Sequence, residues 1–248
     1  MCKRTIAAVL AALVVLPALA WAAPPNVIVK AQYQDPTTRY DHGILGDAIE
    51  WGALRLTVDQ CFGCASKSLR DVVIRLPESR VFEDTAPRLV DLDGDGAPEV
   101  MVVETDIARG ARLAIYDESG LVAATPFIGQ TYRWLAPIGA ADLDGDGLIE
   151  IAYVDRPHLA RLIRVWRYQN AELKLVAELA GFTNHAIGED TIAGGIRDCG
   201  QGPEMIVADA RWRDIYAVTL ANDVLTATKI GPHTGRKSFK RALDCKIR

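Results

Sequence analysis

The sequence predicts an all-β protein, specifically a β-propeller of four to five four-stranded antiparallel blades, on three observations. A segment ending in a glutamate recurs at Glu50, Glu99, Glu150 and Glu204, spaced 49, 51 and 54 residues apart, and a period near 50 points to a solenoid, a propeller or an array. Each glutamate runs into a short β-rich stretch, followed by two more runs joined by turn residues, which is the pattern of successive hairpins. No amphipathic helical stretch of useful length is legible beyond the amino terminus, so four short antiparallel strands per unit read as a propeller blade.

The elements follow in chain order. Lys3 and Arg4 precede the apolar run Ile6–Leu16, and Ala20-Trp21-Ala22 is a small-residue exit. A charged start, a short apolar middle and such an exit make residues 1–22 a secretory signal peptide. Residues 23–248 are then the domain, periplasmic or secreted, with no membrane association after cleavage. In the unit that starts at Glu99 the strands are Val100–Glu104, Leu113–Tyr116 and Leu121–Ala123, with a turn at Glu118-Ser119-Gly120. The next unit has Ile151–Val154, Leu162–Tyr168 and Leu173–Leu179, turning near Asn170. The last has Met205–Ala208, Ile215–Leu220 and Val224–Lys229, turning at Asn222-Asp223. A more remote first unit begins at Glu50 and runs through Trp51–Leu56. The remaining ends, Asn26–Tyr33 and Arg236–Arg248, are expected to form an extra blade together or to close the ring by pairing first and last strands.

Two of the recurring segments carry chemistry. They are Asp91-Leu92-Asp93-Gly94-Asp95-Gly96-Ala97-Pro98-Glu99 and Asp142-Leu143-Asp144-Gly145-Asp146-Gly147-Leu148-Ile149-Glu150. Acids at positions 1, 3, 5 and 9 put four carboxylates in one tight loop, and without a cation they repel one another. Glycines at positions 4 and 6 permit the left-handed backbone that turns them inward. Calcium, which takes about six to eight oxygens, suits such a loop better than magnesium, and the carbonyls of Ala97 and Leu148 at position 7 can add to the set. The expected cofactor is therefore Ca2+ at two sites. An EF-hand is excluded, because position 12 is Val102 or Tyr153 inside a strand-like run and no helix flanks the loop.

These two D-x-D-G-D-G-x-x-E loops, each leading into a strand and recurring at blade spacing, resemble the FG-GAP/VCBS repeats of integrin-α-like β-propellers. The resemblance implies that calcium sits between the first two strands of a blade. It is carried over to two loops only. Aligned with one residue deleted, the third loop has Arg197, Cys199 and Gln201 where aspartates are needed, and the first has His42, Ile44 and Gly46.

The five cysteines are too few for a disulfide-stapled miniature fold. Cys61 and Cys64 stand in a C-x-x-C that reads as a short structural disulfide in an exported chain. Pairing Cys199 with Cys245 would tie the tail to the last unit. His42, His158, His185 and His233 are dispersed and read as surface or turn residues, while Trp51, Trp134, Trp166 and Trp212 read as packing between units. Arg236, Lys237, Lys240 and Arg241 read as a solvated basic tail. A net charge of −4 argues against nucleic acid as a partner. The leading expectation is a binding or scaffolding module for a protein or polysaccharide, with structural calcium and no catalysis. The alternative is a propeller hydrolase or lyase acting on an extracellular polymer, with its carboxylates drawn from Asp47, Glu50, Glu104, Asp106, Asp155 and Asp190.

Overall fold

The computed structural model describes residues 26–247; the expected signal peptide lies outside them. Seventeen strands form three sheets in which every pairing is antiparallel, followed by one helix among the described residues. The first sheet holds β1 (Val27–Thr37), β2 (Glu50–Asp59), β3 (Leu69–Arg75), β4 (Arg80–Phe82), β5 (Arg88–Val90), β6 (Glu99–Asp106), β7 (Gly110–Asp117) and β8 (Gly120–Ala124). The second is a plain four-stranded meander, β9 (Leu135–Ala141), β10 (Ile149–Asp155), β11 (Leu162–Gln169) and β12 (Glu172–Ala180). The third comprises β13 (Phe182–Thr183), β14 (Gly195–Asp198), β15 (Pro203–Asp209), β16 (Asp214–Ala221) and β17 (Val224–Pro232).

The strands that follow the recurring glutamates are buried on both faces, and their period of two explains how the layers stack. On β6, Val100 and Val102 pack with Leu54, Leu56 and Val58 of β2, while Met101 and Val103 turn to Ile151 and Tyr153 of β10. On β10, Ala152 and Val154 face the other way, toward Met205 and Val207 of β15. Ile206 and Ala208 of β15 then meet Phe239 and Ala242. Each side chain of this kind contributes about 1.5–3 kcal/mol when fully buried, so the apolar runs hold successive layers together from both sides.

The two chain ends depart from expectation. Neither forms an extra blade, and among the described residues no strand pairing joins the first and last sheets. Asn26–Tyr33 falls at the start of β1, which pairs along β2 from Val27↔Asp59 to Thr37↔Glu50. The tail is α1 (Arg236–Leu243), an amphipathic helix where none was expected. Phe239, Ala242 and Leu243 stand at i, i+3 and i+4 and lie against the outer face of β15 and β16, whereas the basic side chains are exposed. The Ser238 hydroxyl donates to the Gly235 carbonyl (2.6 Å) and accepts from the Thr234 N–H (3.1 Å), which sets the helix entry. The first and third sheets instead meet through loops: the Gly188 N–H donates to the Ile44 carbonyl (3.1 Å). At that meeting point Gly46 has φ +93°, and a Cβ there would lie 2.6 Å from the Gly188 carbonyl oxygen, so only glycine fits.

Both expected disulfides are present, with Cα atoms 5.5 Å apart for Cys61–Cys64 and 5.7 Å for Cys199–Cys245, inside the range such bonds require. Two disulfides belong to an oxidising compartment. Among the described residues no helix is long and apolar enough to cross a membrane.

Candidate metal-binding loops

The connections β5–β6 and β9–β10 are built by the same hydrogen bonds. Asp91 Oδ1 and Oδ2 accept from the N–H groups of Gly94 (2.8 Å) and Gly96 (3.1 Å), and Glu99 Oε2 reaches back to the Leu92 N–H (2.9 Å). In the second loop Asp142 holds Gly145 (2.8 Å) and Gly147 (3.0 Å), and Glu150 holds Leu143 (2.8 Å). Asp95 accepts from the Ala97 N–H and Asp146 from the Leu148 N–H. Gly94 and Gly96 have φ of +77° and +87°, so the glycines serve conformation, with open space around Gly94. The loops thus bend by self-bonding, and one consequence is that carboxylates converge. One oxygen each of Asp91, Asp93 and Glu99, and one each of Asp142, Asp144 and Asp146, lie within 4.8 Å of one another. Such oxygen sets fit a hard divalent cation. Crowding shows at Glu99, whose carboxyl is pushed up to about 7, first by burial and then by Asp93 and Asp91, against the Leu92 hydrogen bond.

The two loops are not equivalent. Glu150 pairs across the ladder with Arg167 of β11, and its guanidinium enters the second loop. Arg167 Nε donates to Glu150 Oε1 (2.6 Å) and Nη2 to Asp144 Oδ2 (2.5 Å), with Asp223 beyond at 3.3 Å. In the first loop the ladder pairs Val100 with Tyr116, so the residue beside the loop is Asp117, which turns its carboxylate onto Ser119 and Gly120. No cation enters there among the described residues.

The third connection, β14–β15, follows an alignment different from the one expected. Glu204 pairs with Arg197, so the next residue, in the place of Asp91 and Asp142, is Asp198, at the end of β14. It holds the N–H groups of Gly200 (2.7 Å) and Gly202 (3.2 Å) as Asp91 holds those of Gly94 and Gly96. Two residues are deleted, not one, and the glycine spacing in Gly200-Gln201-Gly202 was the signal. Arg197 supplies the positive charge: its Nη2 and Nε bind Glu204 Oε2 (2.8 and 3.1 Å), and Nη1 donates to the Ala242 and Ile247 carbonyls (2.5 and 2.7 Å). In the first unit the connection is longer. His42 turns to the buried Glu83 (2.5 Å) and Ile44 joins the core, so neither lies in a metal loop.

The histidines are also placed differently. His185 is fully buried, its Nδ1 3.1 Å from His158 Nε2, and Trp134 packs edge-on to it. Burial, then His185, pushes His158 down to about 4. His42 and His158 line one small cavity of about 30 Å³. Three histidines from three different strand connections therefore come together. Of the tryptophans, Trp134 and Trp166 are buried between sheets as expected, whereas Trp51 packs within the first sheet and Trp212 against Phe239 of the helix. Of the acids considered for catalysis, Glu104, Asp106 and Asp155 are each engaged by arginines.

Residues 91–153, which hold both metal-loop candidates and the strands between them, match the FG-GAP-like repeat model. The chain carries an FG-GAP-like repeat. No curated protein matches it. Among solved structures, one match is a candidate 6-phosphogluconolactonase from Bacteroides fragilis, 15% identical, with a TM-score of 0.39. It covers 74% of this chain, and this chain spans 55% of that one; at such a similarity it bears on neither topology nor activity. The repeat assignment rests on the FG-GAP-like loops themselves.

Proposed function

We propose that this chain is an exported β-propeller-type binding or scaffolding module, periplasmic or secreted, whose two FG-GAP-like loops hold calcium as structural ions. The observation that supports it is the matched geometry of Asp91–Glu99 and Asp142–Glu150: equivalent glycine N–H groups anchor Asp91 and Asp142 at the same place in successive sheets, and three carboxylate oxygens converge in each loop. Calcium there would fix the connections that set the sheets against each other. Asp91, Asp93, Asp95 and Glu99, with the Ala97 carbonyl, would form the first set, and Asp142, Asp144, Asp146 and Glu150, with the Leu148 carbonyl, the second. A protein or polysaccharide partner would meet the loops at the sheet ends, where binding residues concentrate on rigid scaffolds.

A ligand bound only to the native state adds RT ln(1 + [L]/Kd), about 2.7 kcal/mol per site at a hundredfold excess over Kd. Chelation of both sites is therefore expected to lower Tm by about 10–20 °C for a domain of this size, with calcium restoring it and magnesium restoring little. An unchanged Tm after chelation, with metal content confirmed as nil, would remove the structural role for calcium.

Arg167 makes the second loop the weaker site, because the guanidinium already neutralises Glu150 and Asp144. Arg167→Gln is expected to raise calcium affinity at that loop about tenfold, or ~1.4 kcal/mol, while leaving the first loop as it was. Calorimetric titration resolving two sites in the native protein and one shifted site in the variant checks this.

A further inference from the structure

The glutamate that opens the second strand of each unit has a partner in three units. Glu99 accepts from Leu92, Glu150 from Leu143 and Arg167, and Glu204 from Arg197. Glu50, the first of the series, is 2% exposed and makes no side-chain hydrogen bond or ion pair among the described residues. It lines a cleft of about 470 Å³ between the β1–β2 connection and the loop that carries Asp190. Leu45, Ile49 and Trp51 form the apolar wall, and Asp47, Asp84 and Asp190 the acidic one.

Asp84 is saturated: Arg88 holds both of its oxygens (2.7 and 3.0 Å), and the Tyr33 hydroxyl and Val103 N–H add to them. Asp47 accepts from the Ile49 N–H (2.9 Å) but is otherwise exposed. Asp190 is paired with Arg236 (3.6 Å), so the cleft offers one unpartnered buried carboxyl, one exposed acid without a cation in Asp47, and an indole. Burial, then Glu83, Asp47 and Asp84, pushes Glu50 up to about 9, so a cation is what would let it ionise in place. A divalent metal is the poorer occupant. No three carboxylates of this cleft converge as those of the two loops do, among the described residues, and metals of this type need many oxygens. An ammonium group needs one carboxylate and tolerates an aromatic wall.

We propose that this cleft binds the ammonium head of a primary amine, with Glu50 as its ionic partner, Trp51 and Leu45 against the alkyl stem, and Asp47 at the entrance. The ammonium is shared by free polyamines and by lysine side chains, and two probes separate those sources. Calorimetric titration with spermidine and with Nα-acetyl-lysinamide, in calcium-saturated protein so that the acidic loops are filled, is expected to show one site for at least one of them, and no binding of 1,5-pentanediol. Glu50→Gln is expected to weaken that site at least tenfold while leaving the Tm of the ligand-free protein unchanged or higher, since it removes an uncompensated buried carboxyl. Asp47→Asn, on an exposed loop, is expected to weaken it about threefold and keeps the test open should the first variant fold poorly. Absence of binding by both amines, or affinities unchanged in the variants, overturns the proposal.

Discussion

Glu104→Ala is expected to destabilise the folded chain by about 3–5 kcal/mol, because removing one partner of a buried ion pair strands the charges left behind. Glu104 is fully buried on β6. Its Oε1 accepts from Arg80 Nη1 (3.0 Å), and its Oε2 from Arg112 Nη2 and Nε (2.8 and 3.2 Å) and from the Tyr116 hydroxyl (2.8 Å). Burial, followed by the Glu104 carboxylate, holds the Tyr116 phenol well above its ordinary range, so that hydroxyl stays a donor. Arg80, Arg109 and Arg112 also gather over the Phe127 ring, 4.1–5.4 Å from its centre. Without Glu104, this cationic cluster loses its principal counter-charge. At about 2–4 °C per kcal/mol for a domain of this size, Tm falls by about 10 °C. Glu104→Gln keeps an acceptor but turns an amide NH2 toward donors, and costs about 2 kcal/mol, the penalty of an unsatisfied buried group. Urea unfolding of the two variants separates these terms, and equal stability of Glu104→Ala and the native protein would mean that the cluster is solvated and dispensable.

The parts of the fold legible in sequence were those written in local pattern. Each expected strand after Glu99, Glu150 and Glu204 lies within an observed one: Ile151–Val154 within β10, Leu173–Leu179 within β12, Val224–Lys229 within β17. Apolar runs bounded by Asn-Asp or Ser-Gly turns leave few alternatives. The loop acids were legible for the same reason, since spacing alone places them on one turn. What escaped was long-range. Arg167 is 17 residues from Glu150 and meets it only because the β10–β11 ladder sets that register. His42, His158 and His185 belong to different sheet connections, so no spacing announces their meeting. The helix α1 escaped because its apolar face is only Phe239, Ala242 and Leu243, and the basic residues between them dominate the composition. Asp198 was hidden by a two-residue deletion that only the Arg197↔Glu204 pairing reveals.

Breaking the Cys199–Cys245 disulfide with a serine pair is expected to cost about 4 kcal/mol, the chain-entropy value for a loop of this length, because the bond closes a 46-residue separation. The consequence is local. It ties the end of α1 to the loop in which Asp198 holds Gly200 and Gly202, and which lacks a converging acid set among the described residues. Arg197, 6% exposed, joins the same points by bridging Glu204 to the Ala242 and Ile247 carbonyls. Covalent bond and guanidinium thus restrain the third connection, the role proposed for ions in the first two. Arg197→Ala alone is expected to cost about 3–5 kcal/mol, as it leaves Glu204 and the carbonyls of Ala242 and Ile247 without their donor. Because both devices restrain one tail, their effects should not add: once the disulfide is gone and α1 detaches, Arg197→Ala loses most of its cost, giving a coupling of about 1–3 kcal/mol in a double-mutant cycle. The losses from both variants should persist undiminished in chelator, since neither acts through a metal. Additive losses would show α1 to be held by its apolar face alone, with Phe239 and Ala242 against β15 and β16 sufficient to keep the last sheet covered.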